Sequence, residues 1–301
     1  MAVSPPAGSP ALSDNVKGIL WMLATAVLLT GTAAISKYLG RTLPVVEIVF
    51  FRMALGALVM LPWLLRHGPR GLATRRLATH FWRSILGVGA FVLYIYAVSN
   101  MLLANAVALA FSTPLWMIVM SHLMLGERAG LARGLATVVG FGGILVIARP
   151  DVEISLPALA ALASAFLLSI AMIYVKRLSA TESPTKLAFY AQFFGALFTA
   201  PSTALSWQAP SVTEWALLIS VGIIGSIGLV TQARAYGIGN PTAVTPVDFT
   251  RLPIAVLLGM VFFGELPEPW AFGGMALIVG AILFISRRER LRHHLAPPPA
   301  H

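Results

Sequence analysis

The chain alternates between long apolar runs and short polar interruptions, and the runs are as long as a membrane crossing. A helix needs about 20 apolar residues to span the hydrocarbon core of a bilayer. Ten such runs can be marked, at about 17–37, 44–65, 80–99, 102–124, 131–149, 155–177, 184–205, 212–235, 242–263 and 269–287. Several connections are very short, so neighbouring runs are expected to pair as antiparallel helical hairpins. Helices are the expected element because lipid offers no partner for an open backbone group. A membrane barrel would instead repeat segments of about ten residues with alternating polarity, a pattern absent here. The prediction is an all-α integral membrane protein with ten transmembrane helices.

The pattern also repeats at half the chain length. "GALVMLP" (Gly56 to Pro62) returns as "GALFTAP" (Gly195 to Pro201) 139 residues later, and Lys37 and Lys176 share that offset. "LGER" (Leu125 to Arg128) matches "FGEL" (Phe263 to Leu266), and "GGILVIAR" (Gly142 to Arg149) matches "GAILFISR" (Gly280 to Arg287), both at an offset of 138. Any one match between apolar strings is weak, but three in register are not. The repeating unit holds five helices. Because five is odd, the second copy is expected to enter the membrane upside down, giving the inverted-topology repeat of many secondary transporters. The expected units are 17–150 and 151–288, flanked by tails at 1–16 and 289–301 that are expected to be disordered.

Composition and charge fit a lipid-embedded chain. Of the 301 residues, 58% are hydrophobic and 11% are charged, against roughly a quarter charged in soluble domains. The net charge of +10 does not point to nucleic acid, because the basic residues fall in short runs between apolar spans instead of on one face. With the N-terminus inside, 16 of the 21 Lys and Arg fall on inner segments and three (Lys37, Arg41, Arg149) on outer ones. Arg52 and Arg251 fall within spans. That split places both termini in the cytoplasm. No removable signal peptide is expected. The absence of cysteine excludes disulfides, thiolate metal sites and a cysteine nucleophile.

Each repeat carries a proline-bearing helix, a "GE" turn and a Gly-rich last helix. The marks are Pro114 with Gly126-Glu127, and Pro253 with Gly264-Glu265. On these the chain resembles the drug/metabolite transporter (DMT) superfamily, EamA type, over about residues 17–288. Arg52 also matches a common position of that family. The chain is similar to the YddG-type amino-acid exporters, and other relatives of that family carry S-adenosylmethionine, riboflavin or sugar phosphates. The resemblance implies a transporter of small polar metabolites in the cell inner membrane, with amino-acid export as the specific expectation.

Charged and amide groups at membrane depth need a partner or a wet cavity. Asp248 and Arg251, three residues apart, share a helix face and either pair structurally or face a substrate cavity. At the 138 offset they match Ala110 and Thr113, so the repeat itself does not require them. Arg52 is either bonded to helix-end carbonyls or an anchor for a substrate carboxylate, through its planar fork. Tyr94 and Asn100 belong to a polar cluster ending the third span, either an interface belt or a cavity wall. Trp116 is a core residue or an aromatic pocket wall, and Gln192 is interhelical glue or a ligand contact. Pro114 and Pro253 remove backbone donors and are candidate gate hinges.

The expected activity is secondary transport by alternating access, with a small-molecule substrate bound near the midplane between the repeats. Without a Walker A pattern, ATP is not the expected driver. No cofactor, metal or nucleic-acid partner is expected beyond the lipid bilayer, and a homodimer stays open as the assembly. A passive channel is the alternative from another class. An intramembrane enzyme is disfavoured, since HExxH, cysteine and a second intramembrane Asp are all missing.

Overall fold

A computed structural model describes residues 13–62, 65, 72–126, 131–148, 155–239 and 241–295. Among these residues the fold is all-helical, without a strand. The helices are α1 (Asp14–Leu39), α2 (Val45–Val59), α3 (Leu77–Asn100), α4 (Leu103–Ala110), α5 (Thr113–Leu125), α6 (Leu131–Ala148), α7 (Leu156–Ser179), α8 (Pro184–Leu205), α9 (Val212–Ile238), α10 (Pro241–Asp248), α11 (Arg251–Phe263) and α12 (Pro269–Leu295). Six stretches are long and apolar enough to cross a membrane: Asp14–Leu39, Leu77–Asn100, Leu103–Leu125, Leu156–Ser179, Val212–Ile238 and Val244–Phe263.

Two expected boundaries move. The second run was expected to reach about 65, but α2 ends at Val59. Met60 interrupts it as a turn, and helical residues resume at Leu61 and Pro62 and again at Leu65. At the other end α12 continues to Leu295, into the stretch expected to be tail. No Gly or Pro stands between Gly280 and Pro297 to stop it.

The fourth and ninth runs are each bent into two half-helices, α4–α5 and α10–α11. Every landmark of the second pair lies 138 residues after its counterpart: the kink residues Phe111-Ser112 and Phe249-Thr250, and the left-handed glycines that close each pair, Gly126 (φ 68°) and Gly264 (φ 66°). Proline explains both bends. Pro114 cannot donate to the carbonyl of Ala110, and the Thr113 hydroxyl takes that carbonyl instead at 2.8 Å. Pro253 cannot donate to the carbonyl of Phe249, which accepts from the Leu252 N–H at 3.0 Å. At the kinks the ladder tightens to i−3 spacing, with the Ser112 N–H on Leu109 and the Thr250 N–H on Val247, both at 3.0 Å. The two prolines are one residue out of register, yet the kinks coincide.

Packing comes in matched pairs. α1 lies along α9 as α3 lies along α7, and α2 meets α9 as α8 meets α3. α2 meets α8, and α6 meets α12. One match fails. α4 packs on α11, but the counterpart pair, α5 and α10, makes no comparable contact among the described residues. The kinked spans therefore close together at the Gly264 end and stay apart at the other.

The α6–α12 crossing depends on two glycines. A Cβ on Gly143 would sit 2.6 Å from the Gly274 carbonyl oxygen, and one on Gly274 would sit 2.7 Å from that of Gly143. Gly143→Val should force the helices apart and destabilise the protein by about 1–3 kcal/mol, the usual cost of overpacking. Gly134→Val, on the same helix with open space at its Cβ, should change little. Thermal unfolding of both variants in detergent checks this.

Candidate functional site

The kinks meet. The rings of Phe111 and Phe249 lie 5.1 Å apart, so the bends of the two spans touch near the middle of the molecule. Around them the first span carries Ala110 and Thr113, and the second carries Asp248 and Arg251. Asp248 ends α10 and Arg251 begins α11, so the charges flank the kink instead of lying on one continuous helix face. They form an ion pair, with Nε of Arg251 2.7 Å from Oδ1 of Asp248. The contact lacks hydrogen-bond alignment, and Nη2 of Arg251 is buried without a hydrogen-bond partner among the described residues. A guanidinium nitrogen left open at this depth is a donor waiting for an acceptor.

Two tyrosines border the pair. Tyr236 on α9 is hydrogen-bonded to Thr245 and lies within electrostatic reach of both Asp248 and Arg251. Tyr94 on α3 lies within electrostatic reach of both Arg251 and Arg52. Arg52 rests its guanidinium 4.6 Å from the centre of the Phe91 ring. One turn further along α2, the amide of Gln192 lies against Gly56, where a Cβ would sit 2.1 Å from Nε2. Arg52, Tyr94, Gln192, Asp248 and Arg251 thus belong to one region spanning α2, α3, α8 and the α10–α11 kink.

The other expected site residues stand apart. Asn100 is exposed at the end of α3, and its amide donates to the Tyr96 carbonyl at 2.8 Å. Trp116 sits in an aromatic box with Phe141 at 4.6 Å and Phe166 at 5.2 Å, on the α6–α7 side of α5. Its Nε1 is buried without a partner. Pro114 and Pro253 are exposed in the first turns of α5 and α11. They cause the bends, while the kink residues that touch are the phenylalanines one turn earlier. Sequence reasoning missed Phe111 and Phe249, although both repeats carry a Phe followed by Ser or Thr at the shared offset.

A buried clasp holds the closed end. Lys37, 5% exposed, lies 2.8 Å from Oε1 of Glu265. It also donates to the carbonyls of Val98 (3.1 Å) and Met101 (2.6 Å), where α3 ends. Oε2 of Glu265 accepts the Leu103 N–H at 2.9 Å, capping α4. The "GE" turn thus ties α11–α12 to three helix ends of the first half: Gly264 supplies the left-handed turn and Glu265 the anion for a helix N-terminus. The matching Glu127 lies outside the described residues.

At the opposite end Glu182, in the α7–α8 turn, accepts from Thr74 and pairs with Lys186 at 2.8 Å. Burial would raise its carboxyl, but hydrogen bonds from Lys186 and Thr74, with the charge of Lys186, outweigh this and hold it below the ordinary carboxylate range. Among the described residues no group of His, Asp and Glu is placed to hold a metal.

Two measurements test these clasps. Lys37→Met leaves a buried carboxylate and helix-end carbonyls unpaired, and should cost about 3–5 kcal/mol. Lys37→Met combined with Glu265→Gln should recover part of that loss in the same unfolding assay. Because the Glu182 carboxyl is lowered by folding, its contribution is present above the unfolded value of about 4.3 and fades as pH falls through the folded value. Glu182→Gln should therefore flatten the acid limb of the stability profile.

The chain matches known proteins across nearly its whole length. The model of the EamA-like transporter family fits twice, over residues 16–149 and 155–287. The S-adenosylmethionine uptake transporter of Rickettsia bellii is 30% identical over 282 residues, covering 93% of this chain and 97% of that one. The riboflavin transporter of Vibrio cholerae is 30% identical over 288 residues, 91% of this chain and 97% of that one. The pseudopaline exporter CntI of Pseudomonas aeruginosa is 29% identical over 279 residues, again 91% and 97%. A solved crystal structure, 21% identical, superposes with a TM-score of 0.62 over 92% of this chain and 98% of its own, a likeness of fold. The chain belongs to the EamA-like transporter family of the drug/metabolite transporters, a multi-pass membrane family whose relatives here carry small metabolites.

Proposed function

We propose that this protein is a secondary carrier for amino acids or metabolites bearing an amino-acid group. It works by alternating access in the inner membrane, through ten spans built as two inverted five-helix repeats, 17–150 and 151–288, with both termini cytoplasmic. The observation that carries the solute class is the Asp248–Arg251 pair at the kink. Nη2 of Arg251 is buried with no hydrogen-bond partner among the described residues, and Oδ1 of Asp248 lies 2.7 Å from Nε of the same guanidinium. An α-amino carboxylate supplies what each lacks, its carboxylate to the guanidinium and its ammonium to the carboxylate.

The equal 138-residue offset of kinks, closing glycines and helix pairings supports the repeat. The alternation of paired loops supports the topology. The α1 end, the α3–α4 turn and the α11–α12 turn gather at one end through Lys37 and Glu265. The segment before α3 and the α7–α8 turn gather at the other through Thr74 and Glu182. Packing of α4 on α11, without its counterpart, corresponds to a state closed on the expected outer side. Exchange of which kinked halves pack is then the gating step. The relatives named for S-adenosylmethionine, riboflavin and pseudopaline transport support a small-metabolite solute, and the last of them matches the export direction.

Counterflow in proteoliposomes tests the reading whatever the direction of transport in the cell. Preloaded amino acid should drive transient accumulation of labelled amino acid, as a carrier does and a passive channel does not. Arg251→Ala and Asp248→Ala should each lower the rate by about tenfold or more, the loss expected when one partner of a charged hydrogen-bonded group is removed. Unaltered rates in both variants sink the assignment.

A further inference from the structure

At the site the charges do not balance; the buried Glu47 lies in the first turn of α2, where it accepts the Gln208 N–H at 3.2 Å. Lys37 is paired with Glu265, Lys186 with Glu182, and Arg251 with Asp248. Arg52, on α2 between α3 and α9, has no acidic partner among the described residues. Two features hold it in place. One is the Phe91 ring, 4.6 Å from the guanidinium carbon. The other is a slot made by Gly225 of α9, where a Cβ would fall 2.2 Å from Nη1 and 2.9 Å from Cζ. A planar cation thus lies against bare backbone and an aromatic ring, contacts that hold it without neutralising it. It stays partly accessible, unlike the sealed Lys37. Tyr94 lies within electrostatic reach of both Arg52 and Arg251. Arg52 and Arg251 against Asp248 leave one positive charge over, at a depth where an uncompensated charge is costly.

We propose that Arg52 is a second anchor, and that the transported solute carries a second anionic group. The amino-acid end binds at Asp248 and Arg251, and a further carboxylate reaches the fork of Arg52 past Tyr94. The substrate class is then an acidic amino acid or a carboxylated amino-acid derivative. This rests on the reading of the Asp248–Arg251 pair given above.

Glutamate and glutamine differ in the charge at issue and little in shape, so they serve as probes in counterflow with the full-length protein. The wild type should exchange glutamate at least about tenfold more efficiently than glutamine, the difference expected for one charge-assisted contact. Arg52→Gln should remove that preference, lowering glutamate exchange by at least about tenfold more than it lowers glutamine exchange. Gly225→Ala, which pushes Nη1 from its slot and keeps the charge, should reduce the preference in the same direction. Equal exchange of both amino acids by the wild type overturns the second anchor and leaves the first standing. A parallel loss of both in Arg52→Gln marks a structural role and also overturns it. Exchange of neither by the wild type overturns both anchors. The wild-type ratio decides even if a variant fails to fold.

Discussion

Lipid gives a broken backbone hydrogen bond nothing to turn to, and the architecture of this protein follows from how two such breaks are repaired. Pro114 and Pro253 each withdraw a donor from the middle of an apolar span. The orphaned carbonyls are recovered within a turn, one by the Thr113 hydroxyl and one by the Leu252 N–H. The repair tightens the helix locally and bends it. The bends bring Phe111 and Phe249 into contact, and in the second span they set Asp248 and Arg251 on either side of the kink. A straight helix would pair those two charges along its surface. The bent one leaves them paired but misaligned, with a guanidinium nitrogen still to satisfy.

The two halves share a frame and differ in chemistry. Kinks, glycine turns and neighbouring helices coincide at one offset, while the charges do not: Ala110 and Thr113 stand where Asp248 and Arg251 stand in the second half. Architecture is therefore carried by the shared residues, and the proposed reading gives recognition to the unshared ones. The frame is also caught in an unequal state. Lys37 and Glu265 lock four chain segments at the end where α4 meets α11, and no similar contact joins α5 and α10 among the described residues. Twin halves with unequal ends are what a two-state carrier requires, because each state must close one side only.

Much of this was legible in the chain. The apolar runs mark the helices, since the need for about 20 apolar residues is a matter of composition and length. The repeat offset, read from short strings, also locates the kinks and the left-handed glycines. What was not legible depends on contacts between distant elements. Lys37 reads as an ordinary basic residue near a helix end, and nothing local says that its charge is buried under Glu265 and two carbonyls 61 and 64 residues away. Trp116 and Asn100 look like lining residues by type, yet the packing of α6 and α7 draws one into an aromatic box and the end of α3 exposes the other. Arg52 was visible as an anomaly, but its glycine slot on α9 was not, because a missing side chain reveals its purpose only when its neighbour is known.

The central claim is that the charged kink of α10–α11 lies on a path open to each side of the membrane in turn. The chain has no cysteine, so a single cysteine placed at Thr250, between Asp248 and Arg251, can be labelled without background. In oriented vesicles a membrane-impermeant thiol reagent should reach Thr250→Cys from either side, and a bound amino-acid substrate should slow labelling from both. Labelling from one side alone, or at a rate indifferent to substrate, would contradict the account.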